Sequence, residues 1–457
     1  MKTALILALV LATAALAASA EDARAARALL GELVAADTSN PPGNESRAVA
    51  IGARHLAKAG IPFEITTFAP GRQNLVARLK GDGSARPLLL LAHVDVVGTA
   101  GQRWSTPPHS MKELGGYLQA RGVGDDLGMA AVSLVLLERL KRERVPLKRD
   151  VIVAWTGDEE SGGAGIRWLL ANRKASIDAE VALNEGGGPV LDRSGKVVRL
   201  SLGCAEKTYQ DFEVTAHGTT GHSSVPLDDN AILRLARALA RLTFTSFPAR
   251  LIPVTRAYFA ARAALEAPPI AAAMRALAAS TGPLPADALR VLEADPALRA
   301  DLRTTVTPTL LTGGTRVNAL PAEAHATLNA RMLPDELPEQ VRAHLVAVLA
   351  DSKLEVKLID DFGSAGPSPL EGPGPAAIRA VAARFYPGAP VIPTMGRGAT
   401  DSRFLRHAGI AAYGMRPIAT TEEDGRRAHG VDERIPADLA PGMEFYRALV
   451  LELAGRK

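Results

Sequence analysis

A nearly continuous apolar run, RPLLLLAHVDVVGT at 86–99, is the feature that most limits how this chain can fold. Such a run is typical of a strand that is buried on both faces beneath helices. The segments that follow alternate between helical patterns and strands, among them VIVAWTG and EVALNEGGG. This alternation predicts an α/β fold whose mixed, largely parallel sheet is flanked by helices.

The composition is that of a globular protein, and the 457 residues leave room for more than one core. The 53 basic residues nearly balance the 49 acidic residues, and no long basic tract could follow a phosphate backbone. We therefore expect no nucleic-acid partner.

The N-terminus, MKTALILALVLATAALAASA before ED, has the pattern of a secretory signal peptide. Its apolar run is too short to span a membrane comfortably, and small residues precede Glu21. We expect cleavage after Ala20, which leaves no stable membrane anchor and gives a secreted or periplasmic protein; the alternative is an uncleaved anchor. The one cysteine, Cys204, cannot form an intramolecular disulfide, so the core must stabilise the exported protein.

The character of the sequence changes near Thr208 and changes back after Phe362. The intervening patterns follow the order β-α-β-β-α-β, interrupted by Ala-rich helices between about Tyr258 and Arg303. We predict four segments, namely a signal peptide at 1–20, the first part of the α/β domain at 21–207, an inserted α+β domain at 208–362 and the second part of the α/β domain at 363–457.

Metal-ligating residue types stand where three predicted strands of the α/β domain end. AHVD supplies His93 and Asp95, TGDEE supplies Glu159 and Glu160, and NEGG supplies Glu185. In open α/β sheets the site lies outside the carboxyl ends of the strands, so these groups would converge there. Acids gathered at one edge would repel one another unless cations neutralised them.

The loop RGVGDDLG adds Asp125 and Asp126 between glycines that permit a tight turn. Each acidic pattern has an ordinary explanation when taken alone, because Asp and Glu often cap a helix or favour its N-terminus. His93 and Asp95 share one strand face, so His93 could bind a metal while Asp95 orients its other ring nitrogen. Together these patterns indicate a metal centre.

The ordered motifs resemble one known family, the two-zinc hydrolases that include acetylornithine deacetylase, aminoacylase and glutamate carboxypeptidase. The resemblance extends from about Thr38 to the C-terminus. The matching segments are AHVDVV at 92–97, RGVGDDLG at 121–128, TGDEESGG at 156–163, NEGG at 184–187, TAHGTTGHSS at 215–224 and RAHGVDERI at 427–435. WSTPPHS at 104–110 and the helical insertion are most similar to the branch of carboxypeptidase S and the N-fatty-acyl amino acid hydrolases.

The resemblance implies two zinc ions per chain, although the nitrogen and oxygen ligands would also accept cobalt or manganese. One ion would be bound by His93, Asp125 and Glu185. The other would be bound by Asp125, Glu160 and His429, so that Asp125 bridges the two.

The resemblance also implies roles around the metals. Asp95 would support a ligand, and Glu159 would be the general base that takes a proton from a zinc-bound water, whose pKa zinc lowers to about 7. His222 would polarise the scissile carbonyl, often across the interface of a homodimer. Asn318 and Arg331 would contact the substrate, with Arg331 binding its carboxylate.

In this family 21–207 and 363–457 would form a zinc-peptidase catalytic domain, and 208–362 a lid and dimerisation domain. Leu127 stands where the family often has lysine, and His109 where the related branch tends to have phenylalanine. We expect both departures to affect rate or specificity more than metal binding. The other histidines are expected to be surface or structural residues: His55, His217, His325, His344 and His407.

We therefore expect an exported dinuclear zinc metallopeptidase that hydrolyses an amide next to a free amino acid carboxylate, as carboxypeptidases and dipeptidases do. Its substrate would be a small peptide. The alternative is an N-acyl amino acid amidohydrolase such as an aminoacylase or deacetylase, because both reactions share the metal centre and the carboxylate clamp. A more distant alternative is a non-enzymatic periplasmic metal- or solute-binding protein, which would not need Glu159 or His222.

Overall fold

The computed structural model describes residues 2–360 and 363–456, with side chains from residue 19 onward. The signal peptide predicted at 1–20 thus lies almost wholly outside the described side chains, and the boundary predicted at 362 falls in the gap. Among the helices of the described part, none combines the length and the apolar character needed to cross a bilayer. The chain forms two compact units, a first unit of 1–204, 368–392 and 400–457 and a second unit of 205–367 and 393–399.

The main sheet of the first unit combines parallel and antiparallel strands. Its strands lie in the order Phe63–Ala69, Arg72–Leu79, Val151–Thr156, Leu88–His93, Val181–Asn184, Ala411–Gly414, Val197–Glu206, Gly188–Leu191 and Thr420–Thr421, and Val391–Gly396 also pairs with Val197–Glu206. The four strands from Val151–Thr156 to Ala411–Gly414 run parallel. The strands next to these four pair with them in the antiparallel direction.

Apolar residues cover both faces of the central strands. Every residue of Leu88–His93 is buried. On one face Leu89 and Leu91 belong to a cluster that includes Leu169 of the helix Ala164–Asn172. Leu90 lies between them, points to the opposite face and is buried as well. Burying one such leucine side chain contributes roughly 1.5–3 kcal/mol. The predicted α/β fold with a mixed sheet flanked by helices is confirmed.

Short strands of the first unit bring together segments that are distant in the sequence. Ser39–Asn40 pairs with Val96–Val97 just after the motif AHVD. Arg434–Pro436 pairs with Tyr117–Gln119, which places the segment RAHGVDER beside the loop RGVGDD. The remaining short strand is Lys112–Leu114, and the helices are Lys2–Ala35, Ser46–Ala59, Leu127–Arg142, Ala164–Asn172, Lys174–Ile177, Pro373–Phe385, Ser402–His407, Glu422–Gly425 and Ala440–Ala454.

The second unit is built on an antiparallel sheet with the strand order Thr305–Gly313, Glu323–Met332, Thr208–His217 and Leu354–Ile359. Buried residues such as Phe212 and Val214 alternate with less buried ones. They pack against the helices Ala231–Leu239 and Pro338–Leu349. The predicted role of this region as a lid and dimerisation domain stays a prediction.

A separate helical cluster interrupts this second unit between its first and second long strands. It contains the helices Pro253–Arg262, Pro268–Ala279, Ala286–Glu293 and Pro296–Asp301 and the 3-10 helix Ala263–Leu265. Phe259, Met274 and Leu292 form the centre of its own apolar core. The short strands Gly221–His222 and Ala319–Leu320 complete the unit.

Candidate metal centre

Three parallel strands of the first unit end beside one another, and acidic or imidazole side chains stand at these ends. His93 is the last residue of its strand and pairs with Thr156, the last residue of the neighbouring strand. Glu159 and Glu160 follow Thr156 in a turn, and Glu185 directly follows the third strand. The side chains therefore meet at the carboxyl edge of the sheet, where open α/β folds place their sites.

Two groups of these side chains are close enough to hold metal ions. In the first group, one ligand atom from each of His93, Asp125 and Glu185 lies within 4.8 Å of the others. The same is true of Asp125, Glu160 and His429 in the second group. The five residues proposed as ligands from the resemblance are thus brought together in the first unit, and Asp125 belongs to both groups.

Asp125 directs its two carboxylate oxygens to different groups. Oδ1 lies 3.2 Å from His93 Nε2, and Oδ2 lies 3.3 Å from His429 Nε2. The Nε2 atom of each imidazole has a further carboxylate neighbour, with Glu185 Oε1 3.8 Å from His93 Nε2 and Glu160 Oε2 3.0 Å from His429 Nε2. One oxygen on each side is the arrangement by which a carboxylate can bridge two cations.

The pKa values of the side chains at the carboxyl edge of the sheet are shifted by burial and by neighbouring charges. Burial raises the pKa of Glu185 well above its usual range, and the charge of Asp125 raises it further. Burial likewise raises the pKa of Glu159. Hydrogen bonds to Asp125 and Glu160 raise the pKa of His429 to about 10. Carboxylates gathered in this way need protons or cations to neutralise them.

The donor set fits a divalent ion of borderline softness. Both groups combine one imidazole nitrogen with carboxylate oxygens, a mixture that suits zinc and is also accepted by cobalt and manganese. The Oε1 atom of Glu160 is buried and, within the described chain, has no hydrogen-bond partner. Leaving a buried carboxylate oxygen without a partner costs free energy, and a cation would supply that partner.

Asp158, the first acid of TGDEE, has a structural role. Its Oδ1 accepts a hydrogen bond from the Arg72 guanidinium at 2.8 Å. Its Oδ2 accepts the N–H of Ala164, the first residue of the next helix, at 3.1 Å. The ordinary explanation of an acid after a strand, that it favours a helix start, therefore applies to Asp158.

Asp95 orients the turn that carries the other two acids. Its carboxylate accepts the N–H groups of Glu159 at 3.1 Å and Glu160 at 3.2 Å, and the side-chain amide of Asn40 at 2.8 Å. His93 Nδ1 lies 3.0 Å from the backbone carbonyl oxygen of Asp95 and 3.5 Å from its carboxylate. The closer partner of the second ring nitrogen is therefore the carbonyl oxygen.

Sequence patterns did not indicate two polar residues beside this turn, Asn40 and Asp401. The Thr156 hydroxyl donates to Asp401 Oδ2 at 2.6 Å, and burial raises the pKa of Asp401 to about 7. Asp401 follows the strand Val391–Gly396 in the segment RGAT-D, which repeats the pattern of an acid after a strand and glycine. That pattern could have identified it, whereas Asn40 ends a two-residue strand before the Pro-Pro-Gly turn and carries no such signal.

The other predicted site residues lie in the second unit. His222 is exposed, and its Nδ1 accepts the Ser224 N–H at 3.1 Å. Asn318 immediately precedes the short strand that pairs with the strand of His222. Arg331 stacks on the ring of Tyr209, with 4.7 Å between the guanidinium carbon and the ring centre. Burial lowers the pKa of Arg331.

The two departures from the family pattern have different surroundings. Leu127 is buried at the first position of its helix, with 1% of its surface exposed. His109 Nε2 lies 3.3 Å from Asp37 Oδ1 and 3.4 Å from Ser39 Oγ. In the described part of the chain, neither metal group includes the histidines that were expected to be surface or structural: His55, His217, His325, His344 and His407.

Comparison with known sequences places this geometry in context. The model of Peptidase family M20/M25/M40 matches residues 89–452. Human N-fatty-acyl-amino acid synthase/hydrolase PM20D1 is 29% identical over 364 residues, which cover 78% of this chain and 71% of that protein. The probable carboxypeptidase S-like 2 of Dictyostelium discoideum is 28% identical over 79% of this chain and 70% of its own length.

Comparison with solved structures supports the architecture. The crystal structure of the metallo-carboxypeptidase Sso-CP2 from Sulfolobus solfataricus aligns with a TM-score of 0.70. The alignment covers 94% of this chain and 98% of that chain, at 19% sequence identity. At this identity the similarity shows the fold alone.

Proposed function

The chain belongs to peptidase family M20/M25/M40, and from that membership we propose an exported dinuclear zinc enzyme that hydrolyses an amide next to a free amino acid carboxylate. The predicted family and branch are confirmed, and the chain is a hydrolase of the metallopeptidase and amidohydrolase type. Membership also favours hydrolysis over the non-enzymatic alternative. The number and identity of the metals, the export and the reaction belong to the proposal.

The position of Asp125 carries the proposal of two ions. Its two oxygens lie 3.2 Å from His93 Nε2 and 3.3 Å from His429 Nε2, so each oxygen serves a different group. Glu185 would complete the first site and Glu160 the second. When bound, two such ions supply Lewis-acid chemistry and lower the pKa of a water molecule at the site.

Glu159 is the side chain best suited to move the proton. It belongs to neither metal group, and its backbone is fixed by the hydrogen bond to Asp95. Because burial raises its pKa, this carboxylate would accept a proton from the attacking water more readily than an ordinary glutamate, and that proton would then pass to the leaving amine. Its neighbour Glu160 would bind metal, so adjacent residues divide the two tasks.

Arg331 is the proposed recognition group for the substrate carboxylate. Within the described chain, no carboxylate forms an ion pair with it, and its Nε donates to the amide oxygen of Asn329 at 3.3 Å. A planar guanidinium pairs with a carboxylate through two parallel hydrogen bonds. Asn318 would add a polar contact to the substrate, and His222 would polarise the scissile carbonyl, in cis or from the second subunit of a homodimer.

The second candidate function is hydrolysis of N-acyl amino acids, with an acyl chain in place of the N-terminal part of a peptide. It is favoured by the 29% identity to human PM20D1, a protein named an N-fatty-acyl-amino acid synthase/hydrolase. The similarity to a probable carboxypeptidase S-like protein favours peptide cleavage to a comparable degree. Both reactions release an amino acid that carries a free carboxylate.

A substrate screen tests the proposal. Purified protein loaded with zinc is incubated with dipeptides, longer peptides and N-acyl amino acids of increasing chain length, and the released amino acid is quantified. The Glu159→Gln variant, purified in the same way, is the control for contaminating hydrolases. Release by the wild type and not by this variant supports the proposal and ranks the two candidate functions. Equal release by both proteins would refute it.

A further inference from the structure

Glu433 is a buried carboxylate that holds the loop of Asp125 through hydrogen bonds to its backbone. Its Oε1 accepts the N–H of Gly124 at 2.8 Å and the N–H of Asp125 at 3.1 Å. Its Oε2 accepts the N–H of Gly122 at 3.0 Å and the guanidinium of Arg121 at 2.8 Å. One side chain thus binds three backbone N–H groups of the loop that carries the shared ligand.

Arg121 extends the same contacts to the loop of His429. Its second terminal nitrogen donates to the carbonyl oxygen of His429 at 3.2 Å and to Gln102 Oε1 at 2.9 Å. Gln102 Nε2 donates to that carbonyl oxygen too, at 2.9 Å. His429 has a φ of +64°, a conformation that a residue with a side chain adopts only where its surroundings fix it.

The geometry of this loop leaves little freedom for adjustment. Gly122 has a φ of +81°, and a Cβ atom there would lie 2.5 Å from Val96 Cγ1. Trp104 covers the guanidinium of Arg121 at 5.0 Å, and its Nε1 donates to Gln102 Oε1 at 2.9 Å. The contacts of Glu433 and Arg121 are therefore built into a packed region.

The ion pair is almost fully removed from water, with 1% of the Arg121 side chain and 2% of the Glu433 side chain exposed. A buried ion pair recovers little net stability, because desolvation offsets most of the attraction between the charges. We therefore expect the ion pair to fix the positions of nearby residues rather than to stabilise the fold, since hydrogen-bonding partners behind metal ligands orient those ligands.

We propose that Arg121 and Glu433 are positioning residues, which hold Asp125 and His429 in the geometry that binds both metal ions. Gln102 donates to the backbone of His429, and within the described chain it has no hydrogen bond to Asp125. This inference rests on the proposed function, because it concerns how the chain binds the two ions. Asp125 belongs to both metal groups, so the loss of Glu433 weakens both sites, whereas the loss of Gln102 weakens only the site of His429.

Competition for metal between the full-length protein and a chelating indicator tests the inference without measuring activity. Metal-free wild type, Glu433→Gln and Gln102→Met are titrated with zinc, and cobalt absorption spectra report the ligand geometry. Glu433→Gln keeps the shape but replaces one acceptor oxygen by an NH2 group that faces N–H donors. We expect both dissociation constants to rise about 10- to 100-fold in Glu433→Gln, and only one of them to rise in Gln102→Met.

Arg149→Gln is the matched control. Arg149 is another buried arginine of the first unit, and it pairs with Glu180 at 2.7 Å. This variant should melt at a lower temperature and bind zinc with unchanged dissociation constants.

Unchanged zinc dissociation constants in folded Glu433→Gln would overturn the inference. Gln102 is only partly buried, so Gln102→Met keeps the test decisive if Glu433→Gln fails to fold, and wild-type constants for it would overturn the inference as well. Wild-type protein that binds neither zinc nor cobalt would overturn the proposed function itself and this inference with it.

Discussion

The strands of the two units expose their side chains in different ways. In the first unit Leu88–His93 and Val151–Thr156 are buried along their whole length. In the second unit Glu323–Met332 alternates buried residues with partly exposed ones. A strand buried on both faces has room for polar chemistry only at its ends, whereas a strand with one open face can present polar groups along its length.

The proposed function gives the two units different roles, and these roles agree with the difference in strand burial. The metal groups of the first unit begin at His93, the last residue of its strand, and continue into the turns beyond the sheet. Arg331 of the second unit lies within a strand instead, and it stacks on Tyr209 of the neighbouring strand. Under the proposed function, the chemistry belongs to the strand ends of the first unit and recognition of the substrate carboxylate to the open face of the second.

The largest expected effect separates two neighbours at the strand ends of the first unit. Glu159→Gln keeps the shape of the side chain and removes the proton acceptor, so turnover should fall by roughly two to four orders of magnitude while zinc content stays near normal. Glu160→Gln weakens a ligand, so zinc content should fall together with turnover. Metal analysis and steady-state kinetics on both variants make the distinction.

Asp158→Asn is the control for this pair, because Asp158 contacts Arg72 and the N–H of Ala164 at the start of a helix. It should lower the melting temperature and leave zinc content unchanged. If Glu159→Gln turned over at the wild-type rate, the assignment of Glu159 as the base would be wrong.

Paired substitutions on one strand of each unit test whether strands of the first unit are buried on both faces and strands of the second unit on one face only. Leu90 and Leu91 point to opposite faces, and both are buried, so either Leu→Ala change should lower the free energy of unfolding by about 2–5 kcal/mol. In the second unit Leu328→Ala should cost a similar amount, whereas the adjacent Thr327→Ala should stay within about 0.5 kcal/mol. Denaturant unfolding measures all four, and a large loss for Thr327→Ala would contradict the assignment of an open face.

The fold and the two groups of candidate ligands were largely predictable from the sequence because their signals are local. Unbroken apolar runs indicate strands buried on both faces, and parallel strand ends meet at one edge, so His93 and Glu185 could be placed together. The resemblance then joined His429 to them. Each of these steps needs only a short motif and the order of the motifs along the chain.

The supporting contacts could not be predicted, because no local pattern specifies them. Arg121 lies in the motif RGVGDDLG and Glu433 in the motif RAHGVDERI. They are 312 positions apart, and only the folded chain shows that they pair. Asn40 reaches Asp95 across 55 positions in the same way. The sequence therefore indicates the residues of the candidate site better than the residues that hold them in place.

The proposed binding of the substrate carboxylate by Arg331 of the second unit predicts a smaller loss of activity, confined to substrates with a free carboxylate. Arg331→Ala should reduce kcat/KM for free-acid substrates by about 10- to 100-fold, because a charged hydrogen-bonded pair contributes roughly 1.5–3 kcal/mol. Substrates with an amidated C-terminus should be affected far less. Arg331→Lys is the matched variant, since it keeps the charge without the planar fork. Equal losses on both classes of substrate would assign Arg331 to structure.

The smallest expected effect concerns pH, and it belongs to the first unit, where both metal groups of the described residues lie. Hydrogen bonds to Asp125 and Glu160 raise the pKa of His429 to about 10 in the metal-free protein. Because the pKa of His429 is higher in the folded protein than in the unfolded protein, protonation of His429 stabilises the fold. This stabilisation is complete below the unfolded-state pKa of about 6.5 and is lost as pH rises through about 10.

The melting temperature of metal-free protein should therefore fall by a few degrees between about pH 6.5 and pH 10. The change is small because 55% of the His429 side chain is exposed and solvent screens its charge. Zinc should flatten this dependence, since a bound cation takes the place of the proton. Metal-free His429→Gln, which lacks the titrating group, should lose less stability over the same range. If it matched the metal-free wild type at every pH, the pH dependence would have to arise from groups other than His429.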